Sequence, residues 1–134
     1  MAMGLIGGIG LLACAAAIFF TTRAAARGTL PRGMRMGIRT AITQASDEAW
    51  VAAHGAAMPC ARLLSIVATI FGVALIVAGA MASAADTSPA VVVLFILGYG
   101  SVLIGAWPLV RIANNGASRR QQPGAQGDGS DRLE

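Results

Sequence analysis

Hydrophobic positions run along this chain in three long blocks rather than in the short alternations of a soluble fold. Met1–Thr22, Leu63–Ala85 and Thr87–Val110 contain no charged side chain, giving uninterrupted stretches of 22, 23 and 24 residues. A bilayer core asks for about 20 apolar residues at about 1.5 Å rise each, so the blocks predict transmembrane helices over 1–22, 63–85 and 90–112. Arg23, Arg62, Asp86 and Arg111 mark their ends. A turn over 86–89 joins the second and third spans. Pro89 suits a first helical position, where its missing N–H costs nothing, and Ser88 suits the N-cap before it.

Between the first and second spans lie forty residues, Arg23–Arg62, too many for a turn and too few for an independent domain. The first helix is expected to run on through Ala26 and stop at Gly28. Thr29–Ala45, with its glycines and one proline, reads as ordered loop or extended chain. Ser46-Asp47-Glu48 then starts a helix, with a serine cap and two acids at the positive end of the helix dipole. Trp50, Ala53, His54 and Ala57 fall at i, i+3, i+4 and i+7 on one face. The pattern predicts a short interfacial helix over about 46–58, with Pro59 ending it or beginning the next span, in a small cytoplasmic cap lying on the membrane. After the third span, Asn114-Asn115-Gly116 reads as a helix stop, and 113–134 as a polar, glycine-rich disordered tail.

Composition sharpens this picture. Of the residues, 56% are hydrophobic and 12% charged, about half the charged fraction of soluble domains, and the mean hydropathy is +0.69. All ten basic residues are arginine, against six acids. Six arginines lie in 23–62 and four in the tail, with none in the turn. Because arginine-rich short segments stay cytoplasmic, the N-terminus is expected outside and the C-terminus inside. The fold class is thus an all-α integral membrane protein of three spans, in a bacterial inner membrane. No basic region precedes the first span, which argues against a cleaved signal peptide. Cys14 and Cys60 fall at different levels of the membrane and should not pair.

The chemistry the spans can carry is limited. None holds an ionisable side chain of the Asp, Glu, Lys, Arg or His type, which argues against a proton relay or ion pathway within this chain alone. Small-xxx-small pairs, such as Gly4 with Gly8 and Ser101 with Gly105, permit close helix approach; packing within the molecule is the simpler reading of them. Trp107 reads as an interfacial anchor. One histidine and two separate cysteines assemble no catalytic constellation, metal site or cofactor site. Arginines without interleaved aromatics point to lipid headgroups rather than nucleic acid. Arg39 suits either a phosphate contact or a hydrogen-bonded brace.

The run Gly37-Ile38-Arg39-Thr40, followed by Thr43, Ser46, Trp50 and His54, resembles the motif of the SdpI family of bacterial membrane proteins. There a G-I-R-T stretch precedes a threonine, a serine-started helix with a tryptophan, a histidine or asparagine, and a pair of spans. The resemblance covers about 30–112. Two positions depart from it: Gly33 stands where the family commonly has asparagine, and Gly55 where it commonly has a basic residue. Membership implies a non-enzymatic protein of the immunity and signalling type, since the founding member protects its producer from a secreted peptide toxin and holds a transcriptional repressor at the membrane. The partners so implied are membrane lipid and a protein, either a toxin peptide or a repressor, with Gly37, Arg39, Thr40, Thr43, Ser46, Trp50 and His54 as motif or partner-binding residues. The alternative is an accessory subunit that stabilises a larger membrane complex such as a transporter.

Overall fold

The computed structural model describes residues 2–82 and 88–121. Its elements are three helices, α1 (Ala2–Ala26), α2 (Asp47–Met81) and α3 (Pro89–Gln121), with an irregular segment between α1 and α2. All three are long and apolar enough to cross a membrane. Residues 86 and 87 of the expected turn at 86–89 lie outside the described residues, as does the expected disordered tail from 122 onward. Within reach of that turn, Pro89 does open α3, and the Ser88 carbonyl accepts from the amides of Val91 and Val92 at 2.9 and 3.4 Å.

α1 ends as its sequence requires. Gly28 takes φ +71, and the amides of Gly28 and Thr29 bond back to the carbonyls of Ala25 and Ala24 at 3.0 Å each. That pairing satisfies carbonyls a helix end leaves open, at a φ only glycine adopts cheaply. The chain then turns away from the helix axis.

Two helix boundaries differ from the sequence reading. No break separates a helix at 46–58 from a span beginning at 63: α2 is one helix of 35 residues, about 52 Å long. Its first turns therefore continue the span's axis instead of lying flat beneath a bilayer. Pro59 is accommodated because a single buried stripe, Ala49, Ala53, Ala57, Ala61, Leu64, Ala68, Gly72, Leu75 and Gly79, passes straight through it, so the packing of the whole stripe outweighs one lost hydrogen bond. Likewise α3 does not stop at Asn114-Asn115-Gly116 but continues to Gln121. Ala113 and Ala117 are fully buried against the Ala49–Ala61 stripe, and Gly116 faces the Ala52 carbonyl and the Ala56 methyl. Small side chains at every fourth position on both helices let the two backbones approach closely, and that contact carries α3 past residues of poor helix propensity.

At the opposite end, the glycines of α1 and α2 meet. A Cβ added at Gly8 would lie 2.6 Å from the Gly72 carbonyl oxygen, and one at Gly4 would lie 2.6 Å from the Gly79 Cα. The small-residue pairs are thus spent within the molecule. α1 packs chiefly on α2, and α2 on α3, while the Tyr99 hydroxyl ties α3 to α1 by donating to the Gly7 carbonyl at 3.0 Å. Gly8→Leu is expected to lower stability by about 2–3 kcal/mol, because the obstructing atom is backbone. Thermal melting in neutral detergent checks this. Cys14 and Cys60 are both free thiols.

Candidate functional site

The segment between Gly28 and Ser46 has little regular structure, yet its polar groups are tied down at one end of the bundle. Ser46 caps α2, its hydroxyl accepting from the Ala49 amide at 3.0 Å. This fixes where α2 starts, and so where Trp50 and His54 project. Both are buried, at 2% and 0% exposure, with ring centroids 4.2 Å apart. Trp50 Nε1 donates to the Leu30 carbonyl at 2.8 Å, pinning the start of the segment.

His54 pins its middle. Nδ1 lies 2.8 Å from the Trp50 carbonyl, and the Ile38 amide donates to Nε2 at 3.0 Å. A carbonyl only accepts, so Nδ1 carries the proton; an amide only donates, so Nε2 offers its lone pair. Both bonds are met by the neutral ring in one tautomer. Burial pushes the His54 pKa below its ordinary 6.5, opposed by the Trp50 carbonyl, which stabilises the protonated ring. The unfolded chain therefore takes up the proton first as pH falls. Stability from this group is complete above about pH 6.5 and is lost progressively below it, because the unfolded state then binds more protons. The melting temperature in detergent is expected to decline as pH falls below about 6.5, and a flat profile there contradicts the neutral brace.

Gly37 sits against both rings. Its φ is +97, and an added Cβ would lie 2.9 Å from His54 Nε2 and 2.9 Å from Trp50 Cη2. The glycine of the motif is thus required twice, by backbone conformation and by space. Beyond it the two threonines interlock. Thr43 Oγ1 donates to the Ile38 carbonyl at 2.8 Å and accepts from the Thr40 amide at 3.0 Å, and Thr40 Oγ1 accepts from the Thr43 amide at 3.2 Å and donates to Asn114 Oδ1 at 2.6 Å. Thr43 is fully buried, and among the described residues no buried side-chain nitrogen or oxygen lacks a partner. The Thr40–Asn114 bond fastens the segment to α3.

Arg39 alone of the motif points outward. With the Gln44 amide turned so that its oxygen faces the guanidinium, Arg39 Nε donates to it at 2.6 Å. Arg32 reaches Asp47 at 2.9 Å and the Gln44 carbonyl at 3.1 Å. The same segment leaves Met34, Met36 and Ile42 exposed, with Met36 at 59%. The seven sequence-derived residues thus divide: Thr40, Thr43, Ser46, Trp50 and His54 bond inward, Gly37 makes room for two of them, and Arg39 faces out. Asn114 and Gln44 are partners the sequence reading did not single out. For Asn114 a signal existed, in Leu109, Ala113 and Ala117, whose four-residue spacing carries the buried face of α3 past it. No group of three His, Cys, Asp or Glu side chains among the described residues is placed to hold a metal ion. The two departures, Gly33 and Gly55, both face open space, with no atom within 4 Å of an added Cβ.

A family model described as the SdpI/YfhL protein family matches residues 29–108, which takes in the pinned segment, all of α2 and most of α3. No curated protein and no solved structure matches the chain.

Proposed function

This chain belongs to the SdpI/YfhL protein family, and on that premise we propose that it acts as a non-enzymatic membrane protein of the immunity and signalling type. Its pinned segment is a cytoplasmic recognition surface in a bacterial inner membrane, with the N-terminus outside and the C-terminus inside. The observation that carries this reading is the division of the motif. Side chains that bond inward hold an irregular segment rigid, and that segment then displays Met34, Met36, Ile42 and Arg39 to the surroundings. Exposed methionines and an arginine on one segment suit a protein partner: methionine adapts to varied surfaces, and arginine supplies directional donors. The excess of arginines at this end supports the orientation.

Deleting the gene is expected to sensitise cells to a secreted peptide, and expression of the wild-type chain to restore survival. Arg39→Ala, which removes an outward side chain whose one bond among the described residues is to Gln44, is expected to lose protection while keeping wild-type melting; survival unchanged across peptide toxins counts against the reading. The second reading, an accessory subunit of a larger complex, draws on α3, whose Ile96, Leu103, Ile104 and Trp107 (67% exposed) are largely uncovered. It requires stoichiometric co-purification with that complex in mild detergent, and a lone monomer or homodimer contradicts it.

A further inference from the structure

Behind the pinned segment, α1 and α2 diverge around a groove that neither the motif nor the helix packing uses. It holds about 810 Å³ and is lined by Phe19, Arg23, Arg27, Gly55, Pro59 and Arg62 among others, a volume within the range of small-molecule sites, about 300–1,000 Å³. Three guanidinium groups share its walls. Among the described residues the only ion pair is Arg32–Asp47, and the only acids are Asp47 and Glu48, neither of which lines the groove. Arg23 lies over the Phe19 ring at 5.8 Å. Pro59 has no N–H to offer the Gly55 carbonyl one turn earlier, so an acceptor belongs to the same wall.

A second cavity of about 470 Å³ continues from the first, sharing Phe19, Arg62 and Ile66 and extending along Leu12, Ser65, Thr69 and Ile70. The depth of the two follows from the sequence: Arg23 directly follows the charge-free run 1–22, and Arg62 directly precedes the run 63–85. The arginines therefore stand where hydrocarbon gives way to headgroups, and the apolar trough leads from them into the hydrocarbon.

We propose that this groove binds one anionic phospholipid, its phosphate held by Arg23, Arg27 and Arg62 and an acyl chain laid along Leu12, Ile66 and Ile70. Charge complementarity selects an anion, and the trough selects a molecule with an apolar tail attached to it. The site is separate from the recognition surface and does not depend on that reading.

Native mass spectrometry of the full chain in neutral detergent tests it, with phosphatidylglycerol and phosphatidylcholine of identical acyl chains as probes. Phosphatidylglycerol adducts are expected to exceed phosphatidylcholine adducts on the order of tenfold, and the double variant Arg23→Gln, Arg62→Gln to lose most of that preference. Gly55→Leu places a side chain where no atom lies within 4 Å; it is expected to block adducts of both lipids while leaving the circular dichroism unchanged. Equal retention of the two lipids by the wild-type chain overturns the proposal. So does undiminished phosphatidylglycerol binding by well-folded variants, and so does competition by glycerol phosphate at matched concentration, which assigns the arginines to a soluble anion instead.

Discussion

Trp50→Ala is expected to release the segment 28–46 from the helices while α1–α3 stay assembled. The indole is almost wholly buried between Gly37 and the His54 ring, and its Nε1 is the donor that pins the Leu30 carbonyl. Truncation removes the largest buried side chain at this end and leaves an acceptor without its donor. Losses of about 3–5 kcal/mol follow from emptying an aromatic site of this kind. The α1–α2 glycine crossing and the Leu11–Leu75 cluster are untouched, so helix content should persist. Hydrogen exchange separates the two regions: the Ile38 amide, bonded to His54 in the wild type, should exchange faster by a factor on the order of 10² or more, with the membrane-depth helices unchanged. Protection of Ile38 retained in the variant contradicts the indole's role.

Gly37→Ala is expected to be nearly as damaging although it adds a single methyl group. Backbone strain at φ +97 costs a non-glycine residue about 1–3 kcal/mol. The methyl would also meet two ring atoms at 2.9 Å that are themselves hydrogen-bonded in place and cannot give way freely. About 2–4 kcal/mol in total is expected. In the double variant Gly37→Ala, Trp50→Ala the total loss should fall short of the sum of the single losses, because the indole contact with the methyl is gone while the backbone strain and the His54 contact remain. Thermal melting of the two single variants and the double variant measures that coupling, and strictly additive losses contradict direct contact.

The three spans were legible because their signal is local: a charge-free run of about the right length reads as a membrane helix whatever surrounds it. The α1 stop at Gly28 and the Ser46 cap were legible for the same reason, each being set within a few residues. The boundaries that misled are those where tertiary contact overrides local preference. Pro59 and Asn114-Asn115-Gly116 are helix breakers in isolation, and both lie inside helices because the alanine stripe of α2 packs on Ala113 and Ala117 over their whole length. In so alanine-rich a chain that stripe looks like composition. The motif residues were legible from their spacing and resemblance, and Trp50 and His54 do share a face. Their division into inward and outward side chains was not, since it depends on partners 16 to 74 residues away, Ile38 for His54 and Asn114 for Thr40. The groove was hidden because its walls come from two helices that the sequence holds about thirty residues apart.

The account rests on the neutral His54 ring as the fastening point of the segment, and the chain has a single histidine. Nitrogen-15 NMR of histidine-labelled protein therefore reports that ring without ambiguity. Near neutral pH the Nδ1–H tautomer is predicted, with Nε2 unprotonated and coupled to the Ile38 amide, and titration only below the ordinary 6.5. An Nε2–H tautomer, or a ring that titrates at 6.5 or above, contradicts it.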